Sequence, residues 1–223
     1  MKSMVVIAPH PDDETLGCGG TILKEKLAGS EVHWIVVTEI SQKLNVTDEQ
    51  KIKRTVEINE VAKAFDFNSF EILRFPAAEL DTVPMYDLID SLAKCIRRIN
   101  PSDIYLPYPG DAHSDHKAVF DACISLTKWF RFSSVERVFS YETQSETDFD
   151  ISPMLSGFRP NTFVNITDTV DKKIEIASIY DSEFLEHPFP RNFESMRALA
   201  KIRGSASGFK YAEAFMLLKQ RIY

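Results

Sequence analysis

Near the start of the chain, Ala8-Pro9-His10-Pro11-Asp12-Asp13-Glu14 puts an imidazole and adjacent carboxylates on one short stretch. Neighbouring carboxylates repel, and they resist desolvation unless a cation or a shared proton lies between them. A metal ion is the simplest remedy. The plainer alternative is that Asp12 or Asp13 caps a helix and His10 is a polar strand end, since Asp is a common N-cap. A second stretch, Tyr108-Pro109-Gly110-Asp111-Ala112-His113-Ser114-Asp115-His116, adds two imidazoles and two carboxylates. Taken alone, His113 or His116 fits a polar residue at a helix start. Both clusters meeting in one crevice would be far stronger evidence for a site than either by itself.

The surrounding pattern says where these clusters must lie. Met4-Val5-Val6-Ile7 reads as a buried strand and Thr15 to Lys24 as a helix, so the first cluster is the loop at a strand's carboxyl end. Val32 to Thr38 is a second strand, followed by a polar loop from Glu39 to Thr47. A helix from Asp48 to Phe65 is expected to turn Val56, Val61, Ala62 and Phe65 inward. Phe70 to Phe75 is a third strand, Met85 to Ile99 a helix, and Asp103 to Pro107 a fourth strand. The second cluster follows that strand and opens a helix predicted over 117–130. Strand and helix alternating with short connections predict an α/β, Rossmann-like, three-layer αβα fold with a mostly parallel sheet. In a doubly wound sheet whose order reverses beside strand one, strands one and four are neighbours and their loops converge. Later, 135–141 and 162–166 read as strands, 168–180 and 193–203 as helices, and 142–160 as a surface loop rimming the pocket. Periodicity does not decide between strand and helix for 213–218.

At 223 residues with 44% hydrophobic and 26% charged residues, the composition predicts a single globular domain over 1–223. A net charge of -7 without a Lys/Arg cluster argues against nucleic acid or an anionic membrane as partner. No stretch reaches the ~20 apolar residues of a membrane span. The apolar run after Lys2 is interrupted by Pro9 and His10 before a signal-peptide core forms, which predicts a cytoplasmic protein. Cys18, Cys95 and Cys123, in helical contexts with no CxxC pair, read as buried free thiols. The sequons at Asn45 and Asn165 mean nothing without secretion. Gly17, Gly19 and Gly20 suit close helix–sheet packing. Ile22 stands where a dinucleotide fingerprint needs its last glycine, which disfavours a nicotinamide-dependent oxidoreductase.

With Pro9-His10-Pro11-Asp12-Asp13-Glu14 and His113-Ser114-Asp115-His116 both in hand, the sequence resembles the PIG-L/LmbE-like family of zinc-dependent N-acetyl-sugar deacetylases. Pro101-Ser102-Asp103, Arg203-Gly204, Gly208 and Tyr211-Ala212-Glu213-Ala214-Phe215 also look like family features. Phe75-Pro76-Ala77-Ala78 departs from it, since the family often carries an acidic residue and a glycine there. The resemblance implies an LmbE-like fold and a Zn2+ cofactor held by His10, Asp13 and His116. It implies Asp12 as general base, and His113 as the group assisting the oxyanion and the leaving amine. Two imidazoles and one carboxylate with an open fourth position do make a hydrolytic zinc pattern, and a bound water of pKa about 7 could lose its proton to Asp12. Asp115 is expected to fix an imidazole, and Glu14 to pair with a backbone donor or a basic residue.

Arg74, ending the third strand on the same edge, could hold a sugar hydroxyl or a substrate phosphate, or equally an ion-pair partner. Tyr108 and Asp111 are candidates for substrate contact, with a turn at Pro109-Gly110-Asp111 as the alternative. The implied reaction frees acetate from an N-acetyl amino sugar, free or conjugated, and a homo-oligomer remains open. The rival readings are a zinc amidohydrolase for another N-acyl compound and a non-catalytic sugar-binding protein of the same fold.

Overall fold

The computed structural model describes residues 2–40, 46–151 and 157–223. Asn45, the 41–45 part of the expected 39–47 loop and the 152–156 part of the rim loop lie outside the described residues. Among the described residues seven strands form one sheet: β1 (Ser3–Ala8), β2 (Glu31–Glu39), β3 (Ser69–Pro76), β4 (Asp103–Pro107), β5 (Arg137–Tyr141), β6 (Thr162–Asn165) and β7 (Ala212–Gln220). Their order is β3-β2-β1-β4-β5-β7-β6. β1 pairs parallel with both β2 and β4, so the order reverses beside β1 as expected. All six residues of β1 and the seven inner residues of β2 are buried, the continuous apolar run of strands covered on both faces. The undecided 213–218 segment is strand: β7 runs antiparallel between β5 and β6, which makes the sheet mostly rather than wholly parallel.

Among the described residues six α-helices cover the sheet: α1 (Asp13–Leu27), α2 (Asp48–Ala64), α3 (Met85–Ile99), α4 (Ser114–Ile124), α5 (Val170–Ala177) and α6 (Phe193–Ser207). One face packs Trp34, Phe65, Tyr105, Tyr141, Tyr180 and Phe215; the other packs Ile7, Ile35, Leu88, Leu92, Ile96 and Val138. The three cysteines are buried and free. Among the described residues no helix is long and apolar enough to cross a membrane.

Two expectations need correction. Val56 on α2 is 49% exposed, whereas Ile58, Val61, Ala62 and the stem of Glu57 turn inward. Phe65 is buried as expected, so the inward stripe keeps Val61, Ala62 and Phe65 and only Val56 falls off it, while Glu57 goes under with Arg54 beside its carboxylate at 3.4 Å. And α4 starts at Ser114 rather than Lys117. The His113 ring accepts the N–H of Asp115 at 3.1 Å and so caps the helix, which draws Asp115 and His116 into its first turn.

α1 meets the sheet closely because it carries glycines. A Cβ on Gly20 would stand 2.7 Å from Ile166, and one on Gly17 2.3 Å from the Tyr141 ring. The backbone exposed by that approach is satisfied by Glu213 of β7, which accepts from Gly20 N at 2.8 Å and Thr21 N at 2.7 Å. Lys173 of α5 neutralises it at 2.7 Å and also donates to Leu16 O at 2.7 Å. Removing one partner of so buried a pair leaves a charge uncompensated. Glu213→Ala should therefore destabilise the protein by about 3–5 kcal/mol in urea titrations; a loss under about 1 kcal/mol, the worth of an exposed pair, would contradict the clasp.

Candidate metal centre

The turn from β1 into α1 is built by its own side chains. Asp13 Oδ2 accepts from His10 N at 2.8 Å, and Glu14 Oε2 accepts from Asp12 N at 3.1 Å. Glu14 Oε1 also accepts from the Thr15 and Tyr180 hydroxyls at 2.6 and 3.0 Å. Asp12 occupies the N-cap position at φ 119 without a side-chain capping bond. That backbone is costly for a residue with a Cβ, and such strain concentrates where a fold holds a working group. The capping alternative for Asp12 is thereby excluded.

The second cluster arrives from the neighbouring strand. The rings of His10 and His113 lie 4.4 Å apart, and that of His116 lies 5.5 and 5.7 Å from them respectively. Each of two rings is gripped on one nitrogen by a carboxylate. His10 Nε2 meets Asp115 Oδ2 at 3.0 Å, and His116 Nδ1 meets Asp111 Oδ2 at 2.7 Å. Their other nitrogens converge on a third carboxylate: His10 Nδ1 is 3.5 Å and His116 Nε2 3.3 Å from Asp13 Oδ2. His116 Nε2 is buried and makes no hydrogen bond.

An orphaned imidazole nitrogen facing a buried carboxylate, with both rings oriented from behind by acids, is the chemistry of a divalent-cation site. The ligand atoms of His10, Asp13 and His116 lie within 4.8 Å of one another, so this set could hold a metal. His10, His113 and Asp115 are also close enough. Asp115, however, is already engaged by Ala78 N at 2.7 Å, Leu80 N at 3.1 Å and His10, and His113 Nδ1 by Asp115 N. The first set has lone pairs to spare.

Burial opposes a charged His116, but the charges of Asp13 and Asp111 outweigh it and hold its pKa well above the ordinary value. Burial likewise works against His10, yet its bonds to Asp115 and Asp13 lift it to about 9. These rings attract a positive charge, which a proton or a cation can supply. Burial, and then the neighbouring charge of Asp13, push Asp12 up to about 7 against the pull of Arg191. Burial and the charge of His10 push His113 down to about 4. Its Nδ1 takes a backbone N–H, so the neutral ring carries its proton on Nε2. In that form His113 offers a neutral N–H donor.

A cavity of about 530 Å3 opens over the cluster, lined by His10, Asp12, Asp13, His113 and Arg74 among others. Arg74, at φ 62, is bonded to Glu39 at 2.8 Å and remains largely exposed. Asp111 does not line the cavity. It is spent on His116 and on the Thr147 hydroxyl at 2.6 Å, so its expected place at the substrate gives way to orienting a ring. Tyr108 packs edge-on against Phe158 at 5.4 Å and is likewise absent from the lining. Sequence reasoning missed Arg191, whose Nη1 donates to Asp12 Oδ2 at 2.9 Å. It sits in an irregular segment with no spacing signal to find it by.

Residues 5–127 match the family described as PIG-L: GlcNAc-PI de-N-acetylase. The diacetylchitobiose deacetylase of Thermococcus kodakarensis is 26% identical over 224 residues, covering 96% of this chain and 82% of that protein. The conserved protein TT1542 from Thermus thermophilus superposes with a TM-score of 0.78 at 28% identity, over 100% of this chain and 97% of its own. The 4-carboxy-2-hydroxymuconate hydratase from Pseudomonas putida KT2440 superposes at 0.74 with 22% identity, over 100% of this chain and 98% of its own, a likeness of fold alone.

Because Asp111 grips the ring whose other nitrogen is orphaned, Asp111→Asn should weaken divalent-metal binding about 10–100-fold while the fold survives. Equilibrium dialysis against zinc measures this. Unchanged affinity would remove His116 from the ligand set.

Proposed function

Because the chain belongs to the PIG-L, or GlcNAc-PI de-N-acetylase, family, we propose that it is a zinc-dependent N-deacetylase that hydrolyses the acetamide of an N-acetylglucosamine-type sugar or conjugate. The observation that carries this reading is the convergence of His10 Nδ1, Asp13 Oδ2 and the orphaned His116 Nε2 beside a carboxylate, Asp12, that is not part of the convergence. His10, Asp13 and His116 would hold the ion. When bound, zinc polarises an amide carbonyl and makes a water acidic near neutral pH.

The remaining steps belong to side chains of this chain. Asp12 lines the cavity, adjoins a ligand in sequence and takes the proton of the attacking water. His113 Nε2–H donates to the carbonyl oxygen as that oxygen gains negative charge. Asp12 then returns its proton to the departing nitrogen; the C–N bond breaks, leaving acetate and the free amine. Asp115 keeps His10 in place and fixes the Ala77–Leu80 segment through the N–H groups of Ala78 and Leu80. Arg74 on the cavity wall is the candidate for a sugar hydroxyl or anionic substituent. The three unbridged, buried thiols support a cytoplasmic setting.

Acetate release from N-acetylglucosamine, diacetylchitobiose and phosphorylated N-acetylglucosamine, with and without a chelator, tests the reading. Release abolished by the chelator and restored by zinc is expected; no release from any N-acetyl sugar sinks it. Asp12→Asn should retain metal yet lose about 10²–10⁴-fold in turnover, the usual worth of a positioned base. The two histidines of the second motif should separate. His116→Ala should lose the metal, whereas His113→Ala should keep it and lose about 10²–10³-fold in turnover, as for a removed oxyanion donor. If His113→Ala lost the metal and His116→Ala kept it, the two roles would be reversed.

A further inference from the structure

An unbroken line of alternating charge runs from the surface helix α2 to Asp12. Arg54 of α2 pairs with Glu183 Oε1; Glu183 Oε2 lies 3.3 Å from Arg191 Nη1, and that same nitrogen donates to Asp12 Oδ2 at 2.9 Å. Both ends are anchored. Arg54 also meets Glu57 at 3.4 Å and lies over the Tyr180 ring at 5.6 Å. Arg191 stands one residue before Asn192, whose side chain caps α6 through Ser195 N at 2.7 Å. The segment between is closed on itself by Leu185 N donating to Arg191 O at 3.2 Å and by the stacked rings of Phe184 and Phe193, 5.0 Å apart. A guanidinium held this way has little freedom to wander.

Asp12 needs such a neighbour. Its backbone is in the left-handed region, the next residue in the chain is another acid, Asp13, and no side-chain cap bond fixes its carboxylate. A base that must meet one water in one orientation loses turnover when its plane drifts by a fraction of an ångström. Resting on the reading of Asp12 as the base, we propose that Arg191 is a positioning residue that sets the Asp12 carboxylate toward the cavity, with Glu183 and Arg54 locking the guanidinium from behind. Arg191 acts through Asp12 rather than on the substrate, so its loss acts on kcat and leaves KM and metal content alone. A pair serving only to staple the 181–192 segment to the body would leave kcat alone.

The test compares wild type, Arg191→Ala, Arg191→Lys, Glu183→Gln, Asp12→Asn and the double variant Asp12→Asn/Arg191→Ala, each with bound zinc measured. Arg191→Ala should lose about 10²-fold in kcat at nearly constant KM, with partial recovery in Arg191→Lys and on adding millimolar guanidinium. Glu183→Gln should fall between. The double variant should be no slower than Asp12→Asn, and guanidinium should not help it. In urea, the shift in midpoint caused by Arg191→Ala should shrink in the Asp12→Asn background. Full kcat in Arg191→Ala, or a rise in KM alone, overturns the proposal, the latter by making Arg191 a substrate contact. An equal urea shift in both backgrounds overturns it too. Were the wild type to release no acetate, the deacetylase reading would fall, while the urea comparison would still decide whether Arg191 holds Asp12.

Discussion

Three acids in a row, Asp12, Asp13 and Glu14, are 3%, 2% and 0% exposed, and the repulsion among them is the constraint that the local architecture answers. Each is compensated by a different kind of partner. Glu14 is absorbed by neutral donors, the hydroxyls of Thr15 and Tyr180 and a backbone N–H, and burial lifts it to about 7. Asp13 faces two imidazoles. Asp12 meets a guanidinium. The N-terminus of α1 adds its partial positive charge to all three. Environments that push neighbouring titratable groups apart make it possible for adjacent, chemically similar residues to take different roles.

Much of this was legible in the sequence. Strand and helix alternation sufficed for β1 to β4 and for α3, whose predicted span of Met85 to Ile99 coincides with the observed one. The junction of two motif-bearing loops followed from topology alone, because a reversal beside β1 puts β4 along its other edge. What periodicity could not resolve was β7, whose Ala212–Phe215 stretch is buried throughout and therefore shows no alternation. Nor could it foresee that the His113 ring would serve as a cap, since that depends on one backbone N–H rather than on composition.

At the site, residues acting through local sequence were readable and residues acting across the fold were not. His10, Asp13, His113 and His116 stand in the two short motifs that carry the family resemblance. Arg191 lies 179 positions from Asp12, and Asp111 could be given its part only once its carboxylate was seen 2.7 Å from the His116 ring. The framework alone does not decide the chemistry either, for a hydratase shares it. The direction in which individual nitrogens and oxygens point is what separates one use of the sheet from another.

The last strand in chain order sits in the interior of the sheet, between β5 and β6, and its Glu213 satisfies backbone groups of α1 from 193 positions away. During synthesis, then, β5 keeps an open hydrogen-bonding edge and α1 keeps unsatisfied N–H groups until β7 is made. The N-terminal half can gather its strands early, but the helix that the acid triplet opens cannot be locked until late. Pairing over such separations is slow, because loop-closure entropy is lost before contacts reward it. A nascent chain halted short of β7 would thus expose a ready template for another copy's strand, and the same long reach that braces α1 leaves unfinished chains prone to aggregate.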